Sequence, residues 1–583
     1  MAPRSPELAK IVIGIDFGTT FSGVAWAHSG TPDVIDFVTD WESAFNRNGD
    51  TAKTPTKLYL DANNEVVNWG YGTAGSTKAV CWFKLLLLDD SDVPSHVAAS
   101  AHFSELKAAQ RRTGKTPVEF VGDYLRQLWK HAIDAIKRAE GAQVVKNCDL
   151  RVMITVPADW KPYTHDRVRQ AARLAKIHDP VDCRKVTIGL LSEPEAAALA
   201  TLRDMGKKTT VEVGDNIVIC DAGGGTVDLI SYTVAGTEPF CVSECVRGIG
   251  GLCGGIFLDE QFLKSVQKKL GNKSCIPKDL ATNGMFMERE WESGAKTAFR
   301  NESGTSWLVE VPSSSTGGGK RTRSLEFSQQ EMFDIFDPIF RQIEGLVLEQ
   351  VNAIRHFKSV EPKYVVLVGG LGRNVYLYRR LEACVDSKTT VLQSTSTRPW
   401  TAICRGAVIH GLAAENLSTE LAIKVEARIA RMSCGVAFQT TWKEGKFRPE
   451  DKVWCEDWYA WRASRQVNWF LKMGDHMESK SPVSKPFCGL LGMEDQVVEN
   501  IFSCSFDPEP SQRQDHTVQR LCTIKWHTRD LEDPIPLWTN AVGEVFRRVD
   551  YDIRMTIDGG TVEFSVHVGD QEVGSQHVSV DFS

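Results

Sequence analysis

The sequence predicts an α/β protein in which two similar halves enclose a cleft, followed by a smaller domain made mostly of β-strands. Residues 11–25 and 217–230 share one pattern: a β-branched apolar run, an aspartate, a glycine-rich spacer with hydroxyl residues and a second apolar run. This pattern is typical of a strand, a tight turn and a returning strand. Short alternating runs dominate from Ser433 onward. We therefore predict the two halves in residues 1–415, a linker in 416–432 and a β-rich domain in 433–583.

The composition excludes several classes of protein. Of 583 residues, 42% are hydrophobic and 25% are charged, as in ordinary globular proteins. A net charge of −7 gives no sign of a nucleic-acid-binding surface. The fifteen cysteines form no CxxC pair and no zinc spacing, which indicates reduced thiols and a cytoplasmic or nuclear location. The N-terminus has no signal-peptide core, and no apolar run reaches the length of about 18 residues that a membrane span needs.

Helix starts are marked by capping boxes, in which a hydroxyl residue and a glutamate three positions later satisfy free backbone N–H groups. The boxes are Thr116 with Glu119, Ser192 with Glu195, and Ser328 with Glu331. The third box begins a long apolar helix that we expect Pro338 to interrupt. Residues 421–431 are expected to form a short helix or part of the linker.

The two glycine-rich turns contain the groups that bind a polyphosphate. Glycine lets backbone N–H groups close on an anion, and threonine hydroxyls add donors. The carboxylates of Asp16 and Asp221 would repel phosphate, so we expect a hydrated Mg²⁺ between them and the phosphates, held through water. Two glycine-rich hairpins without a ligand are the alternative. The turn residues are Gly18, Thr19, Thr20 and Phe21, and Gly223, Gly224, Gly225 and Thr226.

Asp-Phe-Gly-Thr-Thr at 16–20 and Asp-Ala-Gly-Gly-Gly-Thr-Val-Asp at 221–228 resemble the two phosphate motifs of the actin, sugar-kinase and 70-kDa heat-shock protein superfamily. Within it the sequence is most similar to divergent, lid-less members of the heat-shock branch. The resemblance covers about the first 415 residues well. It implies an actin-like ATPase fold of two ribonuclease-H-like halves around a nucleotide cleft, with ATP and Mg²⁺ as ligands. It also implies catalytic roles for Asp16 and Asp221.

Glu193 begins a Glu-Pro-x-Ala-Ala stretch that resembles the connecting motif of the heat-shock ATPases. In that family this glutamate holds metal-bound water, so the resemblance implies a catalytic role for Glu193. The alternative is that Glu193 only interacts with the positive end of the helix that it begins.

Two further segments resemble nucleoside-binding parts of the family. Gly254 and Gly255 resemble a Gly-Gly turn near the sugar and the phosphates, with a plain flexible loop as the alternative. Lys296 resembles a lysine that contacts adenosine, although the neighbouring glutamate is one position out of register.

A third segment follows the apolar run 364–368. Gly369 and Gly370 allow a flat base to lie against the backbone, and Arg373 can stack on it. These residues resemble the adenosine motif of the family. A strand-to-helix turn with a surface arginine is the alternative.

The sequence departs from the family at the lysine that contacts the γ-phosphate. Its position falls near Ala74, and the nearby Lys78 and Lys84 lack the family's context. Lys84 lies in the apolar run 82–88, where we expect it to extend its charge to the surface. Trp400 stands where the family has an aspartate. Because a missing cation slows phosphoryl transfer, we predict nucleotide binding with at most weak ATP hydrolysis.

The β-rich domain vaguely resembles a shortened peptide-binding domain of the chaperones, without a helical lid. We expect it to bind a protein partner or client, and the resemblance leaves room for a cochaperone. Five tryptophans crowd one stretch of it, which favours a hydrophobic core; an exposed patch for a partner is the alternative. They are Trp442, Trp454, Trp458, Trp461 and Trp469.

These observations favour a heat-shock-protein-like ATPase that acts as a nucleotide-controlled protein-binding switch or chaperone-like protein. One alternative is a small-molecule kinase on the same fold, for which Asp228 is the candidate base. A scaffold that binds no nucleotide is the other.

Overall fold

The computed structural model divides into two compact units, one of residues 1–242 with 248–424 and one of residues 243–247 with 425–583. The residues that the structure describes are 9–43, 51–73, 76, 78–158, 160–179, 183–206, 211–237, 240–271, 286–313, 321–393, 398–415, 417, 423–478, 482–491, 496–504, 511, 515–531, 533–558 and 561–578.

Two of the sheets in the first unit have the same strand order. One runs Asp36–Phe37, Phe21–His28, Lys10–Phe17, Asp149–Val156 and Lys185–Ser192, with Lys53–Pro55 paired to Phe21–His28. The other runs Phe240–Gly251, of which residues 240–242 and 248–251 belong to this unit, Val227–Thr237, Asn216–Ala222, Tyr364–Val368 and Thr390–Gln393. In both, an antiparallel hairpin is extended by a parallel strand on the side of its first strand. The predicted actin-like fold of two ribonuclease-H-like halves is therefore confirmed.

Helices cover these sheets, which is why the central strands are apolar on both faces. The α-helices are Ser95–Ala98, Ala101–Thr113, Pro117–Glu140, Ala142–Asn147, Pro162–Leu174, Glu193–Gly206, Gly255–Leu270, Lys296–Ala298, Gln329–Lys358, Val375–Cys384 and Arg398–Ala414, with a π-helical stretch at Met287–Ala295. The further strands are Lys57–Leu60, Val66–Trp69, Val80–Cys81, Ser306–Ser313 and Arg321–Ser328. Within the part of the chain that the structure describes, no helix combines the length and the apolar character needed to cross a membrane.

Two of the predicted capping boxes are complete. The predicted interruption of the long helix at Pro338 is wrong. Thr116 and Ser328 each accept from the backbone three residues on, and the glutamates there accept from the cap residue in return. The helix Gln329–Lys358 runs through Pro338 without a break. A proline inside a helix costs about 3 kcal/mol, and the buried face of this helix, which includes Phe336 and Phe340, offsets that cost.

Two helices cross so closely that only glycine fits at the contact. A Cβ atom added at Gly406 would lie 1.7 Å from the carbonyl oxygen of Ala196. Gly406 is in the helix Arg398–Ala414, and Ala196 is in the helix Glu193–Gly206. The crossing therefore fixes the helix that begins with Glu193.

The second unit is a β-sandwich. One sheet runs Lys452–Cys455, Ala460–Leu471, Ser433–Thr441, Gln496–Cys504 and Val518–His527. The other runs Val483–Leu491, Val545–Asp558, Thr561–Val568 and Gln571–Val578, with Leu537–Thr539 paired to Val545–Asp558. Their inner faces form one core, which contains Trp526, Ile553 and Phe564. Among its described residues the unit has no α-helix. A β-rich C-terminal region is thus confirmed.

The segment between the predicted domains differs from expectation. Residues Lys424–Ile429 form a strand that pairs with His476–Glu478, so the short helix that residues 421–431 suggested is wrong. Within the second unit, the Ile429 N–H donates to Glu244 at 2.8 Å, and Arg431 lies 2.5 Å from the same carboxylate. Pairing with another strand and an ion pair hold this segment. The spacing of apolar residues along the segment reveals neither of them.

The tryptophan cluster is not the core of the second unit. None of the five tryptophans is buried, and Trp454 and Trp461 are 40% and 49% exposed. Trp454 packs edge-on against Trp461 at 5.5 Å, and the Lys452 ammonium group lies 5.1 Å from the ring centre of Trp461. These rings lie on the outside of an edge strand and its neighbour, so the expected core assignment is wrong for them.

The glycine at the helix crossing can be tested against a glycine in open space. We expect Gly406→Ala to lower the free energy of unfolding by about 2 kcal/mol or more, because the two helices must separate. Gly345, inside the helix Gln329–Lys358, has no neighbouring atom within 4 Å of an added Cβ. Gly345→Ala should raise stability by about 0.5–1 kcal/mol through better helix propensity. Chemical denaturation of both variants is the measurement; equal effects would contradict the crossing.

Candidate nucleotide-binding site

The two glycine-rich turns meet across the cleft of the first unit. A Cβ atom added at Gly224 would lie 2.0 Å from Thr20 Oγ1, and one added at Gly225 would lie 2.7 Å from Thr19 Oγ1. Side chains at either glycine would push the turns apart. The structure thus brings together two stretches that are far apart in the sequence.

Three carboxylates converge beneath these turns. Asp16 and Asp221 each lie at the end of a central strand, and Glu193 begins a helix. All three are buried. Burial, and then the charges of Glu193 and Asp16, raises the pKa of Asp221 to about 7. Asp221 Oδ1 has no hydrogen-bond partner among the described residues, so the site has a buried acceptor that a cation or a proton can satisfy.

Glu193 is paired with a lysine that we expected at the surface. Lys84 is 1% exposed, and its ammonium group lies 2.5 Å from Glu193 Oε1. Burial raises the pKa of Glu193, although the Lys84 charge opposes this effect. The rings of Phe17 and Trp160 lie 5.5 and 5.3 Å from the ammonium group. The expectation that Lys84 extends to the surface is wrong, because a buried carboxylate gives it a partner inside.

Lys84 also changes the interpretation of the missing lysine. The predicted position near Ala74 lies outside the described residues, and Lys78 is exposed. Lys84 places a cation in the cleft all the same. A lysine in the middle of the apolar run 82–88 was the available signal, since a fully buried lysine needs a partner of opposite charge.

Asp16 has a partner that sequence reasoning missed. The ammonium group of Lys53 donates a short hydrogen bond to Asp16 Oδ2, with both side chains buried. Burial works against the charge on Lys53, but Asp16, together with Cys404 and Asp221, outweighs burial and raises the pKa of Lys53. Asp16 is therefore already neutralised from within the chain.

The Gly254–Gly255 segment is part of the site and is tightly held. The N–H of Gly254 donates to Gly225 O at 3.1 Å, and the N–H of Ile256 donates to Gly224 O at 2.9 Å. A Cβ added at Gly254 would lie 2.6 Å from the carbonyl group of Gly224. A helix begins at Gly255 against the second turn, and helix N-termini favour anions.

Lys296 reaches the same place. A Cβ added at Gly255 would lie 3.2 Å from the Lys296 ammonium group. That group donates to Asp259 at 2.7 Å and to Glu292 at 2.9 Å. Burial opposes the charge on Lys296, but these two carboxylates outweigh it and raise the pKa of Lys296. Glu292, which is out of register with the family pattern, thus lies one helical turn before Lys296 and bonds to it.

The third glycine segment lies against the second hairpin. Gly369 has φ +84°, and a Cβ there would lie 2.4 Å from both Ala222 O and Asp221 Oδ1. A Cβ at Gly370 would lie 3.8 Å from the Trp400 ring, which packs edge-on against Phe21 at 5.9 Å. Arg373 ends a 3₁₀ turn with its side chain exposed. The structure therefore joins Gly369 and Gly370 to the cleft and leaves Arg373 at its surface.

The residues present fit a nucleotide polyphosphate with a divalent cation. Two turns without Cβ atoms, threonine hydroxyls and a helix N-terminus offer donors to phosphate. Among the described residues, no group of three or more His, Cys, Asp or Glu side chains is placed to hold a metal ion directly. A cation here would be held by phosphate oxygens and by water on Asp221, which is how magnesium binds in such sites.

Comparison with known proteins agrees with this geometry. The family model described as Hsp70 protein matches residues 92–424, which is more than half of the chain. The chain is 23% identical over 529 residues to heat shock 70 kDa protein 12A of Homo sapiens, covering 77% of this chain and 76% of that protein. It is 21% identical to heat shock 70 kDa protein 12B of Homo sapiens, covering 86% and 82%. A chaperone protein HscA homolog of Acinetobacter baumannii is 31% identical over 48% of this chain and 41% of its own length.

The raised pKa of Asp221 predicts a cost to stability. In the folded state this carboxyl keeps its proton up to about pH 7, whereas the unfolded chain loses it near pH 4, so stability falls by up to about 1.4 kcal/mol per pH unit across that window. We expect Asp221→Asn, without Mg²⁺ or nucleotide, to be more stable than the wild type at about pH 8 and similar to it near pH 4. Urea unfolding at both pH values measures this. A less stable variant at the higher pH contradicts the prediction.

Proposed function

Because the chain belongs to the Hsp70 family, we propose that it is an Mg·ATP-binding, slowly hydrolysing ATPase that uses its nucleotide state to control the binding of a protein partner. Membership in the family suggests an ATP-binding, chaperone-like function. The observation that supports the nucleotide site is the contact between the turns at Thr19–Thr20 and Gly224–Gly225, with Asp16 and Asp221 beneath them.

In this proposal the turns bind the phosphates and the third glycine segment binds the nucleoside. Backbone N–H groups of the two turns and the hydroxyls of Thr19 and Thr226 donate to phosphate oxygens. The helix that begins at Gly255 directs its positive end to the same place. Gly369 and Gly370 leave a flat surface for the base, with Lys296 and Arg373 beside it. Bound magnesium would neutralise phosphate charge, and Asp221 would hold it through water.

Hydrolysis needs an oriented water molecule and a cation for the developing charge. Glu193 is buried at the site and accepts from Lys84 at 2.5 Å, so its carboxylate has a fixed orientation. We assign Glu193 the positioning of the attacking water and Lys84 the stabilisation of charge on the transferred phosphoryl group. The water oxygen forms the new bond to phosphorus, and the bond to the β–γ bridging oxygen breaks, which releases ADP and phosphate.

The β-rich unit supplies the surface for a protein partner. Trp454, Tyr459 and Trp461 are all exposed, and Trp454 packs against each of the other two rings. Exposed aromatic groups of this kind are typical of protein-binding surfaces. The fifteen cysteines of the sequence form no CxxC pair and no zinc spacing, which supports a reducing compartment such as the cytoplasm or the nucleus.

A kinase is less well supported. Asp228, its candidate base, is fully buried on the returning strand of the second hairpin, opposite Asp221. An acceptor hydroxyl needs to come within hydrogen-bond distance of the base. Burial of Asp228 keeps a dissolved acceptor away from it.

Titration calorimetry with ATP and Mg²⁺ tests the nucleotide site. We expect wild-type protein to bind and Asp221→Ala to bind at least about tenfold more weakly, since one charged partner of the cation shell is lost. Asp134→Ala is the control, because Asp134 is exposed on the helix Pro117–Glu140 and should have no effect. A folded wild-type protein that gives no heat with ATP rejects the proposal.

Turnover tests the role of Lys84. Lys84→Met should lower kcat by about 100-fold or more while changing ATP affinity much less, because the ammonium group acts on charge that develops during transfer. Lys78→Met, six residues earlier and exposed, is the matched control. The melting temperature of Lys84→Met, compared with that of the double variant Lys84→Met with Glu193→Gln, in which no unpaired carboxylate remains, checks that the loss of turnover is not a loss of folding. Wild-type kcat in Lys84→Met would exclude this role.

A further inference from the structure

The proposed function gives no role to Lys53, although this lysine is the most direct partner of Asp16. The Lys53 side chain is buried, and its ammonium group bonds to Asp16 Oδ2. A buried lysine and a buried aspartate each lose their hydration, so they persist together only with close pairing. The Lys53 ammonium group therefore occupies the Asp16 carboxylate, for which the sequence predicts a magnesium ion held through water.

Strand register builds this pair. Lys53, Gly23 and Asp16 lie side by side on three neighbouring strands, since Asp16 is opposite Gly23 and Gly23 is opposite Lys53. A Cβ atom added at Gly23 would lie 2.9 Å from Lys53 Cγ and 3.5 Å from Lys53 Cε. The lysine stem passes over the glycine to reach the aspartate. A side chain at position 23 would block this path.

The charge of Lys53 also reaches the rest of the site. It lowers the pKa of Asp221 and that of Glu193, against the burial that raises both. Asp221 Oδ1 nevertheless keeps no hydrogen-bond partner among the described residues. The two aspartates are thus unequal: Asp16 is paired with a cation of the chain, and Asp221 is left for a cation from solution.

We propose that Lys53 is a built-in cation of the nucleotide site, which takes over at Asp16 part of the role of magnesium and so makes ATP binding less dependent on Mg²⁺. This inference rests on the proposed nucleotide site and adds to it a contribution to ATP affinity that does not depend on a metal ion. A tethered ammonium group stays in place when free Mg²⁺ is removed. It also offers donors to a phosphate oxygen at the mouth of the first turn.

The test compares ATP affinity in Mg²⁺ and in excess EDTA by titration calorimetry. For the wild type, removal of Mg²⁺ should weaken binding by less than about tenfold. For Lys53→Met, the same change should weaken it by a further ten- to hundredfold, about the value of one or two charge-assisted hydrogen bonds. Lys53→Arg should behave like the wild type. Lys57→Met, four residues on and outside the ion pair, is the control.

A second readout needs no nucleotide. Because Lys53 occupies Asp16 and leaves only Asp221 open to a cation, Mg²⁺ alone should raise the melting temperature of the wild type less than that of Lys53→Met. Lys53→Met frees the carboxylate, so Mg²⁺ alone should raise the melting temperature of that variant by mass action. If Lys53→Met does not fold, Asp16→Asn alone and Asp16→Asn with Lys53→Met are compared instead. In that pair, only loss of Lys53 should weaken ATP binding in EDTA.

The outcomes separate the two proposals. Equal dependence on Mg²⁺ in the wild type and in Lys53→Met, with ATP binding intact, overturns the role of Lys53 and leaves the nucleotide site standing. A folded wild type that binds no ATP even with Mg²⁺ overturns the nucleotide site and the role of Lys53 with it. A larger effect from Lys57→Met than from Lys53→Met also overturns the inference.

Discussion

The fold of the first unit depends on a contact between two hairpins that is possible only because glycine has no Cβ atom. Where Thr19 and Thr20 meet Gly224 and Gly225, the absence of Cβ atoms lets two hairpins from separate sheets touch. The two sheets have the same strand order, and each has an aspartate one residue before the end of its central strand. The Gly254 N–H donates a hydrogen bond to the second turn. A binding cleft with polar walls and a buried floor follows from this one contact.

The floor of the cleft holds three acids and two bases, and their pairing is uneven. Lys84 bonds to Glu193 and Lys53 bonds to Asp16, while Asp221 Oδ1 has no hydrogen-bond partner within the described part of the chain and the pKa of Asp221 rises to about 7. Buried carboxylates without partners reduce stability. A ligand that brings positive charge would relieve this cost. The carboxylate of Asp221 would thus both lower the stability of the protein without a ligand and favour the binding of a ligand that brings a cation.

The sequence predicted the fold and the two turns because both are written in local patterns that occur twice. It predicted the lysines poorly for different reasons. Lys84 was detectable, because a lysine within an apolar run is buried with its neighbours and then needs a partner of opposite charge. Lys53 was not, because its contact with Asp16 depends on strand pairing and on a glycine between them. The tryptophans of the second unit misled for a third reason: their crowding in the sequence does not place them in the core, which is built from residues on the inner faces of two sheets.

The close crossing at Gly406 couples two parts of the cleft mechanically. The helix Arg398–Ala414 brings Trp400 next to Gly370, and it touches the helix whose first residue is Glu193. With the two backbones in direct contact, neither helix can slide without displacing the other. We therefore expect a shift of the helix that carries Trp400, next to the proposed base-binding segment, to be transmitted to the helix that begins at Glu193.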